Sequence, residues 1–413
     1  MKSSRSEKEK MLNIQKQIQK QISLVFDNVI NNVFDNEINN KLQETNNTKG
    51  ITIQLNCIVM FSGGPDSCML LNQLKYYIDK LVDKSNKSNK LNVNNLDIVL
   101  HGVHLNHNIR TENGEAKRDE EFSKKLFEIN NVKYMIYNED ILENAKTEVK
   151  STETYARERR YILVEEYINE LIENEKLYKK VYIVFTGHNA DDNAETIFMN
   201  ILRGSGTKGI EGIKVITKGN DIFNISKKSN IYLAKPLKYT YKADILRYLN
   251  FFNLEYMIDS TNLENEYFRN VVRNDIFPYI QKNTNFDLKK GLNTLSQNIF
   301  KQNTYINNLV VDKFNNIRII NTDTNNNSDN DNDKGVYLDL DKLKKEDEYI
   351  IKEICIYAFN NLKIIKDISK QNIEDIYNLI CNGISGKKIC PTKFCKVGIK
   401  KINNIKVLHI FKI

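Results

Sequence analysis

The sequence has no long hydrophobic run. Nowhere in its 413 residues does an apolar stretch approach the roughly 20 residues that a membrane-spanning helix needs. The N-terminal segment MKSSRSEKEKMLNIQKQIQK is basic and polar and lacks the apolar core of a secretory signal. We therefore expect a soluble protein with no membrane partner. The sequence leaves open an organelle address that has been removed or lies upstream.

Paired cysteines are also missing. No two cysteines form a CxxC pair, and this spacing argues against a zinc ribbon or an iron–sulfur site. The six cysteines are Cys57, Cys68, Cys355, Cys381, Cys390 and Cys395. We expect reduced thiols in an intracellular protein and no structural metal.

Acidic residues are absent from the C-terminal end. Residues 386–413 contain eight lysines and no aspartate or glutamate, and the formal net charge of the whole chain is +8. Two interpretations remain open for this segment. It is either a solvated tail or an electrostatic footprint for nucleic acid.

What the sequence does contain is an alternation of apolar strands with helical patterns from residue 51 to about 237. The strand-like segments are ITIQLNCIVMF, LDIVLHGVHL, VKYMIY, KVYIVFTG and IYLAKPL. This alternation predicts an α/β fold with a doubly wound parallel sheet and helices on both faces. Ligand sites in such sheets lie at the carboxyl ends of the strands.

The chain divides by composition into four segments. We predict a polar helical extension over 1–50, a catalytic domain over 51–282 and a helical linker over 283–335. The linker contains the low-complexity run NTDTNNNSDNDNDKG, which cannot bury a core. Two helical patterns followed by lysine-rich strands predict a smaller, basic α+β domain over 336–413.

The segment MFSGGPDSCMLL places a glycine loop between a strand and a helix start. A helix N-terminus offers backbone N–H groups to an anion, and glycine lets the backbone approach it closely. The loop lacks the Gly-Lys-Ser/Thr ending of a Walker A motif. Its aspartate is tolerable beside phosphates only if Mg²⁺ bridges them, so the loop predicts a nucleotide–metal site. An ordinary strand–turn–helix corner is the alternative. The loop residues are Ser62, Gly63, Gly64, Pro65, Asp66 and Ser67.

A second segment, GHNADDNAETIFMNILRGSGTKG at residues 187–209, follows a predicted strand and starts another helix. Asp191, Asp192 and Glu195 share one face of that helix because they lie three and four residues apart. Acids in a first turn also complement the helix dipole. The residues alone support both a structural role and a binding site for a cationic substrate.

Two further groups of residues give weaker signals. Arg157 and Arg160 lie on one face of a helical pattern, which is typical of a solvated basic surface or of a phosphate or RNA contact. His101, His104 and His107 are spaced in threes, which would suit a metal on a helix. They fall at a predicted strand end, where alternate faces separate them, so a metal site is disfavoured.

Seven motifs follow one another between about residue 56 and residue 282. In order they are SGGPDS, VHLNHNIR, ARERRY, GHNADDNAET, LRGSG, DSTN and RNVVRNDIFPYI. This ordered set resembles the family of bacterial-type tRNA(Ile)-lysidine synthases. NGISGKK in the last segment is similar to the substrate-binding domain of that family. The resemblance implies a PP-loop ATP pyrophosphatase domain followed by a tRNA-binding domain.

The resemblance implies a two-step ligase reaction on the wobble cytidine of a CAU-anticodon tRNA(Ile). ATP adenylates the C2 oxygen and releases pyrophosphate. The side-chain amine of free L-lysine then attacks C2 and expels AMP, which forms lysidine. ATP and Mg²⁺ are the expected cofactors, with Asp66 as the expected Mg²⁺ ligand.

By the same resemblance, Asp192 and Glu195 hold the lysine ammonium. Free lysine is protonated near neutral pH because its pKa is about 10.4, so a carboxylate also has to accept a proton. We assign that role to Asp192. Arg157 and Arg269 or Arg273 are expected to contact RNA or the adenylate. The other expected contacts are His107 in the adenosine pocket and Arg160, Arg203, Lys387 and Lys388 at the substrate.

Four asparagines depart from the family pattern but leave the acidic positions intact. By the resemblance, the family usually has Asp at the position of Asn106, Gly at that of Asn108, His at that of Asn189 and Gln at that of Asn193. As in the family's shorter members, a single domain follows the helical segment.

Two other functions compete with a lysidine synthase. A tRNA thiolase has the same loop but generally needs cysteines in CxxC-like arrangements, whereas CPTKFC has four intervening residues. A noncatalytic RNA-binding protein has no need of acids near a polyanion. For the location we expect the bacterial cytoplasm or an organelle of bacterial descent, such as a plastid.

Overall fold

The computed structural model describes most of the chain. The described residues are 2–41, 53–87, 96–106, 115–173, 179–219, 222–223, 230–257, 268–319, 335–364 and 368–413. The chain forms two compact units, Met1–Gln297 and Asn298–Ile413. None of the helices within the described ranges is long and apolar enough to cross a membrane.

The first unit is built on a sheet of six strands. They are β1 (Ile53–Phe61), β2 (Leu96–Asn106), β3 (Lys133–Asn138), β4 (Lys179–Phe185), β5 (Ile216–Lys218) and β6 (Asn230–Ala234). The strand order is β3-β2-β1-β4-β6-β5. Five of these strands pair in parallel, and β5 pairs antiparallel with β6. The predicted α/β fold with a parallel sheet is confirmed, while the short edge strand β5 was not predicted.

Helices alternate with the strands of the first unit. They are α1 (Lys2–Lys41), α2 (Pro65–Lys87), α3 (Glu115–Ile129), α4 (Ile141–Thr147), α5 (Thr152–Glu173), α6 (Ala190–Leu202), α7 (Thr207–Ile210), α8 (Lys242–Phe251), α9 (Phe268–Val271), a π-helical turn (Val272–Ile276), α10 (Phe277–Thr284) and α11 (Leu288–Ile317), which continues into the second unit.

Apolar side chains cover both faces of this sheet. Successive residues of a strand point to opposite faces. Leu55, Cys57 and Val59 of β1 belong to a buried cluster that includes α1 and α2, whereas Ile58 belongs to a second cluster that includes α5. Two-sided burial explains why the parallel strands are almost continuously apolar in sequence.

The second unit is an α+β arrangement with a four-stranded antiparallel sheet. Its strands are β7 (Val336–Asp339), β8 (Lys388–Thr392), β9 (Cys395–Ile402) and β10 (Ile405–Lys412), in the order β7-β10-β9-β8. Its further helices are α12 (Leu340–Leu343), α13 (Glu348–Asn361) and α14 (Lys370–Asn382). One face of the sheet packs on these helices and on the end of α11 through Leu338, Val397, Leu408 and Phe314.

Candidate active site

The candidate site lies where the strand order of the first sheet reverses. β1 has β2 on one side and β4 on the other, and both run parallel to it. Open α/β sheets bind ligands beyond the carboxyl ends of their strands at such a switch point. The glycine loop follows β1, and the segment before the acidic helix α6 follows β4. The structure therefore brings both sequence motifs to one crevice.

Gly63 fixes the shape of the loop. Its φ of +78° lies in the left-handed region that favours glycine. Its carbonyl oxygen accepts hydrogen bonds from the backbone N–H of Met257 at 2.9 Å and from the Cys68 thiol at 3.2 Å. The loop is thus held by the segment after α8 as well as by its own helix.

The serines of the loop close the turn. The Ser67 hydroxyl donates to the carbonyl oxygen of Gly64 at 2.9 Å and accepts from the backbone N–H of Ser62 at 3.3 Å. Ser62 is exposed, and Pro65 is the first residue of α2. The observed strand, turn and helix match the prediction for this motif.

Asp66 lies in the first turn of α2 between two polar partners. Its Oδ2 accepts from Lys242 Nζ at 2.7 Å, and its Oδ1 accepts from Asn189 Nδ2 at 3.1 Å. Burial raises the pKa of Asp66 above its ordinary value, and Lys242 opposes that rise. The carboxylate keeps 27% of its side-chain surface exposed, so a ligand in the crevice can reach it.

The surroundings of Asp66 fit a cation. A carboxylate oxygen is the ligand type that Mg²⁺ prefers, with substrate phosphates completing its coordination. Lys242 and Asn189 already donate to the two carboxylate oxygens, so Mg²⁺ would share Asp66 with these donors or replace one of them. Asp66 remains the residue that we predict to bind Mg²⁺.

Asn189 joins the loop to the acidic helix. Its Oδ1 accepts from the backbone N–H groups of Asp191 at 2.9 Å and Asp192 at 3.1 Å, and the Asn189 N–H donates to Asp192 Oδ2 at 2.9 Å. This is a capping box. The Nδ2 of the same side chain donates to Asp66. Asp192 therefore stabilises the start of α6 whatever else it binds.

Two arginines pair with the acids of α6. Arg273 Nε donates to Glu195 Oε1 at 2.6 Å, and Arg269 Nε donates to Glu195 Oε2 at 2.7 Å. Both guanidinium groups also donate to Asp192 Oδ1 at 3.0 Å. Glu195 is completely buried, and a buried carboxylate needs such partners. The two arginines that we expected to contact RNA or the adenylate thus form hydrogen bonds with the two carboxylates that we expected to bind the substrate lysine.

The charges of this cluster reinforce one another. Burial by itself would lower the pKa of Arg273, but the hydrogen bond and charge of Glu195 and the charges of Asp192 and Asp191 raise it above its ordinary value. Two guanidinium groups and two carboxylates leave the four residues of the cluster without net charge. Asp192 keeps 17% of its side chain exposed and Glu195 none, so Asp192 is the acid that a ligand can reach.

Asp191 is a third acid of the crevice, with its own partners. Its Oδ1 pairs with Lys289 Nζ, and its Oδ2 accepts from the backbone N–H of Lys242 at 2.9 Å. Lys242 therefore contacts Asp191 through its backbone and Asp66 through its side chain. Sequence analysis missed Lys242 and Lys289 because they lie 51 and 98 residues from Asp191 and belong to no local motif.

Positive side chains surround His188. Burial and the charges of Lys235, Arg157, Arg269 and Arg160 lower the pKa of His188 to about 3, so its imidazole is neutral at neutral pH. Arg157 is exposed. A cluster of lysine and arginine side chains suits phosphate oxygens. The sequence analysis singled out Arg157, Arg160 and Arg269 but neither His188 nor Lys235, although His188 belongs to the GHN motif.

Several predicted residues lie elsewhere. Arg203 is exposed and follows the C-terminal end of α6. A helical rise of 1.5 Å per residue puts it about 16 Å along the helix axis from Asp192. Lys387 and Lys388 are exposed residues of the second unit. His107 and Asn108 lie outside the described residues.

The histidines of β2 have different contacts. His101 hydrogen bonds to the Tyr167 hydroxyl at 2.9 Å and to Asn56 Oδ1 at 3.1 Å. His104 bonds through Nδ1 to the carbonyl oxygen of Phe61 at 3.0 Å. The two imidazoles therefore have separate partners within the core.

The family of the chain follows from comparison with known proteins. The family profile described as "PP-loop domain" matches residues 34–280. The chain belongs to the PP-loop family. The matched residues include the glycine loop, α6, Arg269 and Arg273, whereas Lys289 lies beyond them.

The PP-loop chain is similar to curated tRNA(Ile)-lysidine synthases, which confirms the resemblance found in its motifs. It is 35% identical to that of Clostridium acetobutylicum over 62% of this chain and 48% of the relative. It is 30% identical to that of Caldanaerobacter subterraneus subsp. tengcongensis over 84% of this chain and 64% of the relative. The chain spans about half to two thirds of the length of these relatives.

A solved structure shows a more distant likeness. It is the U34-tRNA thiolase NcsA from Methanococcus maripaludis with its 4Fe–4S cluster, at 15% identity and a TM-score of 0.43, over 71% of this chain and 80% of that chain. This likeness is too distant to bear on function.

Proposed function

We propose that the chain is a tRNA(Ile)-lysidine synthase, which uses ATP to join free L-lysine to C2 of the wobble cytidine of a CAU-anticodon tRNA(Ile). One observation carries the proposal. Asn189 bonds both to Asp66 of the glycine loop and to the start of the acidic helix, so the loop that we propose for ATP and the acids that we propose for lysine lie in one crevice. Adenylation and amine attack need these two sites side by side.

In the first step, the C2 oxygen of cytidine attacks the α-phosphorus of ATP and the bond to pyrophosphate breaks. The loop backbone and the N-terminus of α2 receive the phosphates. Asp66 would hold Mg²⁺, which would neutralise phosphate charge. Arg157 and Lys235 add fixed positive charge near the position where the adenylate forms.

In the second step, Asp192 positions the lysine ammonium and accepts one of its protons. The neutral amine then attacks C2, the bond between C2 and the adenylate oxygen breaks, and AMP leaves with the electron pair. This attack forms the C–N bond, and the nitrogen then releases a second proton to solvent. Asp192 suits this role because it is the accessible acid of the cluster, whereas Glu195 is fully buried.

The neutral cluster is compatible with a contact between the arginines and the adenylate in addition to their observed pairing with the acids. Asp192 and Glu195 are balanced by Arg269 and Arg273, so a lysine ammonium adds an uncompensated positive charge. An adenylate phosphate compensates it if one guanidinium turns from the acids toward that phosphate. We propose that Arg269 or Arg273 makes this exchange when the adenylated tRNA is present.

The proposal predicts lysine transfer that depends on the wobble base. Incubation of the protein with ATP, labelled lysine and a CAU-anticodon transcript should give labelled tRNA and AMP. A transcript that differs only by uridine at the wobble position should remain unlabelled. Uridine also has a C2 oxygen, but it has a C4 oxygen and an N3 proton where cytidine has an amino group and an N3 lone pair. Equal labelling of both transcripts would refute the proposed substrate, and AMP release without lysine transfer would refute the ligase.

The thiolase alternative receives no support from the cysteine beside the loop. The Cys68 thiol donates to the carbonyl oxygen of Gly63. Burial, with a contribution from the charge of Asp66, raises the pKa of Cys68 to about 12. The residue is therefore a structural thiol at neutral pH and a poor nucleophile.

We further propose that residues 51–282 carry the chemistry and residues 336–413 bind the tRNA. The eight lysines and absence of acids in residues 386–413 support this division. Lys387 and Lys388 are exposed members of that set.

A further inference from the structure

The second unit carries three stacked aromatic rings, here called the ring stack: Tyr337, His409 and Phe411. The ring centroids of Tyr337 and His409 lie 4.3 Å apart with an interplanar angle of 8°, and those of His409 and Phe411 lie 4.5 Å apart at 17°. All three residues are half-buried. Parallel rings at this spacing resemble stacked bases in their geometry.

The alternation of β10 places the ring stack on the sheet face opposite the hydrophobic core. Leu408 and Ile410 belong to the buried cluster of the unit, so His409 and Phe411 point to the other face. Tyr337 of β7 is the direct cross-strand neighbour of His409 and shares that face. The helices of the unit that supply the core pack on the other side of the sheet.

Lysines lie beside the ring stack on the same face. Lys396 is the cross-strand neighbour of Phe411. Lys388 pairs with Gly398, which in turn faces His409 across the sheet. Lys400 Nζ lies 4.6 Å from the ring centroid of Tyr337 and 3.5 Å from its hydroxyl oxygen, so a cation lies next to that ring. These lysines belong to the segment without acids, and their charge suits a polyanion.

The one acid that the strand alternation places on this face already has partners. Asp339 of β7 faces Val407 across the sheet. Its carboxylate accepts from the backbone N–H groups of Asp341 at 3.0 Å and Lys342 at 3.1 Å, which caps α12. It therefore does not offset the charge of the lysines beside the rings.

His409 is held as a neutral ring. Burial and the charges of Lys400 and Lys388 lower its pKa to about 4. Its Nε2 finds no hydrogen-bond partner in the described part of the chain. Gly335 packs against this atom with a φ of +151°, and a Cβ there would lie 2.7 Å from Nε2. The imidazole thus serves as a flat spacer between two aromatic rings.

The other end of the stack is the face of Phe411. Among residues with described positions, neither a second ring nor a cation lies against that face. Aromatic side chains beside lysines are the arrangement with which proteins bind single-stranded nucleic acid, because bases stack on the rings and the backbone contacts the cations. An acidic peptide would use the lysines but would leave the rings without a partner.

We propose that the ring stack binds an unpaired nucleotide of RNA, with its base stacked on Phe411 and its phosphate beside Lys396. The identification of that RNA as the substrate tRNA rests on the proposed function. The nucleotide contact itself does not, since it follows from the geometry of the second unit.

The experiment uses the full-length protein and a short single-stranded RNA that contains 2-aminopurine, whose fluorescence is quenched on stacking. Phe411→Leu keeps an apolar side chain but removes the ring, and we expect about tenfold weaker binding together with loss of quenching. Phe411→Trp should retain both. The matched control is Phe394→Leu, which removes an exposed ring under the Lys393 ammonium at 5.0 Å outside the stack. That variant should bind and quench like the original protein.

Further arms separate the possible outcomes. Lys396→Ala should reduce the salt slope of RNA binding by roughly 0.7, and unfolding curves should show that each variant is folded. Unchanged affinity and quenching in Phe411→Leu, or an equal loss in Phe394→Leu, would overturn the proposal. Equal binding of a blunt RNA duplex, or capture of a poly-glutamate peptide that depends on Phe411, would overturn it too. Absence of lysine transfer by the unaltered protein would refute the proposed function. The RNA-binding and quenching data would still test the proposed nucleotide contact, because they do not depend on catalysis.

Discussion

At the scale of single residues, Asp192 has to satisfy two requirements. Its Oδ2 completes the capping box of α6, while its Oδ1 bonds to Arg269 and Arg273. Replacement by alanine removes both functions and would confound a loss of activity with a loss of helix stability. Asparagine retains an acceptor for the Asn189 N–H but has no charge, so it isolates the electrostatic role.

We expect Asp192→Asn to lower lysine transfer by about 100-fold or more, because the variant lacks the anion that positions lysine and accepts its proton. Release of pyrophosphate in the presence of ATP and tRNA should persist. Asp66→Asn should show the opposite pattern, with pyrophosphate release abolished. Parallel assays of pyrophosphate and of labelled lysine in tRNA measure the two steps. Failure of Asp192→Asn at pyrophosphate release, with normal affinity for lysine, would reverse the assigned roles.

The sequence predicts the local part of the site and misses the long-range part. Asp66 and the acids of α6 lie in short motifs whose spacing encodes a turn or a helix face. Their partners come from distant segments: Lys242 lies 176 residues from Asp66, and Arg273 lies 78 residues from Glu195. Pairing at such separations depends on how the helices pack on the sheet, which no local pattern records.

At the scale of elements, α1 is part of the core of the first unit. Phe26, Ile18 and Ile22 on one of its faces are at most 1% exposed and pack in a cluster with α2, β1 and α8. The Phe26 ring lies 5.0 Å from that of Tyr77 and 6.4 Å from that of Phe185. A helix described by composition as polar thus contributes a continuous apolar stripe.

Phe26→Ala should destabilise the protein by about 3 to 5 kcal/mol, because it leaves a cavity among rings that relax only partly. Leu24→Ala on the same helix provides the control, since Leu24 is 43% exposed, and its effect should stay within about 0.5 kcal/mol. Urea unfolding followed by circular dichroism measures both. If Phe26→Ala lowered the free energy of unfolding as little as we expect for Leu24→Ala, α1 would not stabilise the first unit.

The predicted elements are those with long, regular patterns. The five parallel strands and the helices α13 and α14 follow from apolar runs and helical periodicity. β5 and β7 contain three and four residues, too few to display a period, and they exist because longer neighbours offer a free edge. The π-helical turn at Val272–Ile276 likewise has no pattern of its own, although it carries Arg273.

At the scale of the whole molecule, the histidines make folding sensitive to acid. Burial is the main cause that lowers the pKa of His101 to about 4, of His188 to about 3 and of His409 to about 4, and it also lowers the pKa of His104. In the unfolded chain each imidazole binds a proton near pH 6.5. Between about pH 6.5 and pH 4 the unfolded state therefore binds more protons than the native state, and stability decreases as pH falls.

We expect the free energy of unfolding to decrease by about 1 kcal/mol per pH unit for each such histidine in that window. His188→Gln should flatten the dependence by about that amount, because glutamine does not titrate. Urea titrations at pH 7, 6 and 5 measure the slope, and unfolding of the two units should be followed separately. Identical slopes in the variant and the original protein would show that His188 binds its proton in the native state.

Asn189 limits which amino acids can occupy its position during evolution. The side chain has to accept from the N-terminal amides of α6 and, at the same time, donate to the carboxylate of Asp66. Aspartate could cap the helix but would place a second negative charge beside Asp66, and alanine could do neither. Histidine, which the sequence resemblance leads us to expect here, combines one donor with one acceptor in its neutral ring. The neutral imidazole has one acceptor nitrogen, so histidine could keep a bond to Asp66 and one of the two amide bonds, whereas asparagine accepts both amide bonds and still donates to Asp66.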